Sequence, residues 1–141
     1  QGDTSQAEMI KQFKKLGNAV LLGTSTFWEG VDVRGDALSC VIIDKFPFAS
    51  PGDPVLEARI KSIREQGRNP FNEYQLPQAI IAMKQGVGRL IRDEADKGLL
   101  MICDPRLRTK SYGRTFLESI PRVPRTSKRE VVERFFTSIS K

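Results

Sequence analysis

PQAIIAMKQGVGRLIR, residues 77–92, followed after a polar gap by LLMIC, residues 99–103, sets a helical period beside a short continuous apolar run. Pro77 suits the first turn of a helix, because the amide hydrogen it lacks would find no partner there. Wound at about 100° per residue, Gln85, Arg89 and Arg92 fall within about 60° of one another, while Ile80, Val87, Leu90 and Ile91 gather on the opposite side. The run LLMIC shows no alternation, as expected of a strand covered on both faces. Helix and strand alternate in this way along the chain, which predicts an α/β fold built on a parallel sheet.

The rest of the chain extends this rhythm. SCVIID, residues 39–44, reads as a second fully covered strand, and AVLLG, residues 19–23, as a third. Asp3 or Thr4 is placed to cap a first helix whose Met9, Ile10, Phe13 and Leu16 recur at helical spacing, with Gly17 as its stop. Asp53 followed by Pro54 predicts a helix reaching about Gln66 and ended by Gly67. Before it, KFPFASPGDP is a proline-rich loop. The tail predicts two more helices, the second announced by Ser127 and Glu130 at capping-box spacing. Three strands are few for an open α/β sheet, which commonly has about five or six, so the chain reads as the later part of a longer protein.

At 141 residues, with 39% hydrophobic and 28% charged residues, the chain has the size and composition of one globular domain. No apolar run approaches the roughly 20 residues needed to cross a bilayer, and QGDTSQAEMI at the start lacks the basic flank and apolar centre of a signal peptide. Cys40 and Cys103 each sit in an apolar run and read as small buried hydrophobes. Two distant cysteines and no histidine supply neither an iron–sulfur cluster nor a zinc site, and a reducing cytoplasm fits them. The charge of +6 is uneven: residues 105–141 hold ten Lys or Arg against three Glu, and residues 1–104 thirteen against fourteen acids. Such a basic segment either attracts polyanions with salt-sensitive affinity or is a solvated helix face.

Gly86 and Gly88 oppose a helix by about 2 kcal/mol together, which a close-approaching backbone or ligand would explain. Arg89 and Arg92, one turn apart with the Gln85 amide one turn before, form a fork suited to phosphate oxygens, the arrangement of an arginine finger. A plain exposed basic stripe is the simpler reading of those arginines alone. A second stretch, GTSTFWEGVDVRG at residues 23–35, leaves a strand through the hydroxyls Thr24, Ser25 and Thr26, suited to a phosphodiester. It continues into Glu29, Gly30 and Asp32, two carboxylates around a glycine, and the carboxylates suit a ribose hydroxyl or a water. The carboxyl edge of a parallel sheet is where open α/β folds bind ligands. Trp28 is either a buried plug or a stacking surface.

TSTFWEGVDVRG and QGVGRLIR together resemble motifs five and six of superfamily-two helicases, and KFPFASPGDPVLEAR between them resembles the DinG branch, which includes YoaA and, more distantly, XPD. The similarity covers nearly the whole chain in the right order. It implies an α/β RecA-like lobe of the P-loop NTPase type, the second of two, with a parallel sheet flanked by helices. It further implies an ATP-driven translocase moving 5′ to 3′ on single-stranded or forked DNA, in the cytoplasm and in DNA repair. By motif position Arg89 and Arg92 would reach the γ-phosphate of ATP, Gln85 would sense it, Glu29, Gly30 and Asp32 would face the ribose and water, and Thr24 would touch the DNA backbone.

The pattern GxxxxGK[ST] does not occur in the 141 residues, so the triphosphate and Mg²⁺ would be held mainly by a first RecA-like lobe, and this chain alone is expected to be inactive. The literal DEAD at residues 93–96 follows the arginine helix rather than an apolar strand, which argues against a metal-binding role. The four clustered cysteines of many relatives have no counterpart here, which leaves open a 4Fe-4S cluster elsewhere in the protein. Two other readings stand beside the helicase one. A nucleic-acid-binding module would use the basic tail from Arg106 to Arg134, interleaved with Tyr112, Phe116, Phe135 and Phe136. A regulatory lobe would keep the motifs without turnover.

Overall fold

In the computed structural model, residues 5–24, 33, 37–90 and 97–139 are described. Two parallel strands, β1 (Cys40–Ile43) and β2 (Leu99–Ile102), pair in the register Cys40 to Leu99 through Ile43 to Ile102. The ladder is extended at both ends, where the Leu99 N–H donates to the Ser39 carbonyl and the Cys103 N–H to the Ile43 carbonyl, each at 2.9 Å. Parallel strands need a long crossover, and the chain between them supplies it as helices.

Helix α1 (Gln6–Leu16) precedes the sheet. Its cap is Ser5, whose hydroxyl accepts from the Glu8 N–H, rather than Asp3 or Thr4, which lie outside the described residues. Gly17 ends it at φ 65°, a conformation that glycine adopts without strain. Met9, Ile10 and Phe13 pack with Leu21, Ala37 and Leu38 around the buried Val33, a small cluster of its own. Leu16 stays 68% exposed, so the expected apolar stripe stops one turn early.

Helix α2 (Pro54–Glu65) begins as the sequence predicts. Asp53 Oδ1 accepts from the Val55 and Leu56 N–H groups, Pro54 stands in the first turn, and Gly67 turns the chain at φ 71°. A π-helical turn at Phe71–Gln75, entered through the Asn69 side chain, leads straight into α3 (Leu76–Val87). Pro77 stands in the first turn of α3, as the sequence predicts, although that turn continues from the π-helical one rather than starting from a loop. Past β2 come α4 (Arg106–Thr109), α5 (Gly113–Ser119) and α6 (Arg129–Ile139), three helices where the sequence predicts two. At the entry to α6 the accepting hydroxyl is that of Thr126, from the Lys128 N–H at 3.0 Å, rather than that of Ser127.

The core forms on one side of the sheet. Ile43 is buried, with Val41, Leu100 and Ile102 packed on the cluster that Ala79, Met83 and Val87 of α3 build with Phe46, Phe116 and Ile120. Phe46 and Phe116 stack with ring centroids 3.9 Å apart. On the other face Cys40 and Leu99 are half-buried while Ile42 and Met101 are 58% and 39% exposed, so among the described residues that face is only partly covered, against expectation. Residues 19–23 form no strand: Leu21 turns toward the α1 cluster while Val20 and Leu22 are exposed. Cys40 is half-buried, and Cys103, which stands just past the last pairing residue of β2, is exposed rather than buried.

Candidate functional site

Helix α3 stops before the arginines. Its last turn closes with the Gly88 N–H donating to the Lys84 carbonyl at 2.8 Å, and two bonds of three-residue span follow, Arg89 N–H to the Gly86 carbonyl at 3.2 Å and Leu90 N–H to the Val87 carbonyl at 2.9 Å. The glycines thus mark a helix terminus, with Gly86 buried in the final turn and Gly88 capping it, and Arg89 lies in the turn beyond rather than on a continuing helix face. The expected division of polar and apolar sides holds locally, with Gln85 exposed and Val87 and Leu90 buried. A helix that crosses back between parallel strands ends at their amino rim. Consistent with that, a Cβ placed on Gly98, just before β2, would run into the Leu90 side chain. Arg89 therefore stands beside the amino end of the strand.

Arg89 is half-buried, and its Nε is a buried donor with no hydrogen-bond partner among the described residues. An unpartnered buried N–H costs about 1–3 kcal/mol, and an oxygen acceptor removes that cost. An anionic oxygen such as that of a phosphate fits it best, since charge-assisted bonds to guanidinium are the strong ones. Thr24 is exposed. Arg92, Ser25, Thr26, Glu29, Gly30 and Asp32 lie outside the described residues, as do Trp28 and the acidic stretch at 93–96.

At the opposite, carboxyl rim of the sheet is a charged pair that the sequence reading does not single out. Asp104, 3% exposed, receives the Phe46 N–H at 2.7 Å and the Arg106 backbone N–H at 2.9 Å. The Arg106 guanidinium adds Nε at 3.0 Å and Nη2 at 2.6 Å. The side-chain bonds from Arg106, with those two backbone donors, overcome burial and hold the Asp104 carboxyl down to about 2. Arg106 is pushed up by the same contact. Its guanidinium also lies 5.7 Å from the Phe46 ring centroid and 5.2 Å from that of Phe48, in cation–π range. One carboxylate thus ties the loop after β1 to the turn after β2. The available signal was an Asp directly after an apolar run and before Pro105, where a solvated residue has no reason to interrupt a strand end.

Tyr112 and Phe116 belong to this packed rim, with Phe48 and Phe71 as ring neighbours, while Phe135 and Phe136 pack edge to face on each other in α6. Among the described residues no group of three His, Cys, Asp or Glu is placed to hold a metal ion, and no helix is long and apolar enough to cross a membrane.

Comparison with known proteins places this architecture. The sequence pattern of the family described as the helicase C-terminal domain matches residues 1–123. The chain is 60% identical over 126 residues to the ATP-dependent DNA helicase YoaA of Escherichia coli, a match covering 89% of this chain and 20% of that protein. Against the YoaA of Haemophilus influenzae the identity is 58% with the same coverage. The 3'-5' exonuclease DinG of Bacillus subtilis is 45% identical over 117 residues, 83% of this chain and 13% of that one. The chain thus spans about a fifth or less of the length of these relatives. The mixed helix and strand order with its small parallel sheet is that of an α/β RecA-like lobe. The chain belongs to the helicase C-terminal domain family, as a region of the DinG/YoaA type.

Proposed function

We propose that this chain is the second lobe of an ATP-driven translocase that moves 5′ to 3′ along single-stranded DNA, in the cytoplasm and in the service of repair. A first lobe holds ATP and Mg²⁺, and this lobe donates Arg89, with Arg92, to the γ-phosphate across the cleft between them. The observation that carries the reading is the half-buried Arg89, anchored in a glycine-capped turn with its Nε unpartnered. A guanidinium placed where charge redistributes in phosphoryl transfer accelerates the step by about 10³ to 10⁵. Gln85, exposed in the last turn of the same helix, is positioned to sense whether that phosphate is present. Glu29, Gly30 and Asp32 face the ribose and its water, and Thr24, Ser25 and Thr26 contact the DNA backbone, so one loop joins the two ligands. Bound Mg²⁺ would neutralise phosphate charge from the first lobe, and no residue of this chain is assigned to it.

The 141 residues alone carry no phosphate loop and should hydrolyse no ATP. The test is a chimaera in which this chain replaces the matching 126 residues of the E. coli relative. DNA-stimulated ATP hydrolysis by the chimaera is the expected result. A folded chimaera that binds nucleotide and DNA but shows no DNA-stimulated turnover would leave a binding or regulatory lobe as the function instead.

A further inference from the structure

Residues 121–128, PRVPRTSK, run between α5 and α6 with every residue exposed. Pro121 and Pro124 fix two φ angles and press the residues before them into extended backbone, and Ile120 has φ −92° and ψ 157°. Polyproline-type backbone repeats every three residues with about 3.1 Å per residue. Arg122, Arg125 and Lys128 recur at that interval in the sequence, so an extended strap carries three cations within seven residues. The strap is tied down as well, because Arg125 Nη2 donates to the Leu117 carbonyl of α5 at 2.8 Å.

The charges of the strap are treated differently from those beside it. Arg114 pairs with Glu118 in α5 at 2.6 Å, and Arg129 pairs with Glu133 in α6 at 2.7 Å. Arg122, Arg125 and Lys128 have no carboxylate partner among the described residues, and the sequence holds no acid between Glu118 and Glu130. Solubility alone does not require that exclusion, since residues 1–104 balance thirteen cations with fourteen acids. Exposed cations without carboxylate partners, on a strap stiffened by two prolines and anchored through Arg125, suit a polyanion, because less chain entropy is lost on binding. Arg125 and Lys128 also lie beyond residue 123, where the family match ends, so family membership assigns them no role.

We infer that the strap at 121–128 is a sequence-independent contact for the phosphate backbone of single-stranded DNA, made by other residues than those of the stretch 23–35 and Arg89. The ligand rests on the proposed reading of the chain as a DNA-translocase lobe, and the contact itself rests on the strap. Each phosphate neutralised on a single strand contributes about 0.7 to the slope of log affinity against log salt. Three contacts therefore account for a slope of about 2, or about a hundredfold in affinity at 0.1 M salt relative to 1 M.

The experiment is a salt titration of the full 141-residue chain against a fluorescently labelled oligothymidine, read by anisotropy, with circular dichroism confirming that each variant is folded. The triple variant R122Q/R125Q/K128Q is expected to bind about a hundredfold more weakly at 0.1 M salt, with its slope lowered by about 2. R122K/R125K, which keeps the charges, retains the slope, and Arg114→Gln, which removes an already paired cation, leaves it unchanged. A triple variant with the slope of the parent overturns the inference, as does a parent chain with no measurable affinity for the oligonucleotide. Loss of binding to vesicles containing anionic lipid, with oligonucleotide binding intact, overturns it in favour of a membrane surface. The hydrolysis assay on the chimaera reports on the lobe's function independently, so failure of one does not mimic failure of the other.

Discussion

Replacing Asp104 with asparagine keeps the shape of the side chain and removes its charge at the point where β1 and β2 are tied together. In the parent the carboxyl is held at about 2 against an ordinary 3.8, a difference worth about 2 kcal/mol of folding free energy at neutral pH. Asparagine also leaves the Arg106 charge without its counterion beside two aromatic rings, with 36% of that side chain exposed. Breaking a buried pair from one side costs about 3–5 kcal/mol, and the partial exposure of Arg106 places this one at the low end, about 3 kcal/mol. For a chain of this size that is a fall of about 10 °C in Tm, measured by thermal unfolding under circular dichroism. The pH dependence follows from the direction of the shift. A lowered carboxyl contributes its full stability above its unfolded value and loses it as pH falls through its folded value. The gap between parent and variant should therefore hold from pH 7 to about 4 and narrow between about 4 and 2. A variant melting within 2 °C of the parent at pH 7, or a gap that does not narrow in acid, would refute the reasoning.

The α4–α5 corner depends on a missing side chain: a Cβ on Gly113 would overlap the Leu107 carbonyl, which is backbone and cannot step aside. Gly113→Ala should cost about 2–3 kcal/mol in urea unfolding at unchanged m-value, and a loss under 0.5 kcal/mol would contradict that packing. The two thiols should separate by labelling rate. Exposed Cys103 is expected to react with a maleimide well before Cys40, which is half-buried with its thiol pushed up by burial, and equal rates would contradict the placement of β1.

What the sequence made legible was local. Asp53, Pro54 and Gly67 act through neighbouring backbone groups, so the start and stop of α2 could be read from residue type and spacing. The same local rules fail at α3, where apolar spacing carries the helix through residue 92 although Gly88 ends it, because periodicity records which face packs and not where the backbone turns. Ile42 and Met101 illustrate a second limit: a continuous apolar run predicts two covered faces, whereas here these two residues of the second face stay exposed. The Asp104 and Arg106 pair depends on the Phe46 amide 58 residues away, a contact no short-range pattern encodes. At the candidate site the pairing of QGVGRLIR with TSTFWEGVDVRG carried the family, while the unpartnered Nε of Arg89 emerged only with the fold.

The central claim is that Arg89 acts on a nucleotide held by another lobe. The direct measurement is single-turnover ATP hydrolysis by the chimaera and its Arg89→Ala variant at saturating DNA, with nucleotide affinity measured in parallel. The chemical step should fall by about 10³ or more while the Kd for ATP changes by less than about tenfold. Hydrolysis at the parent rate by the variant would contradict the account.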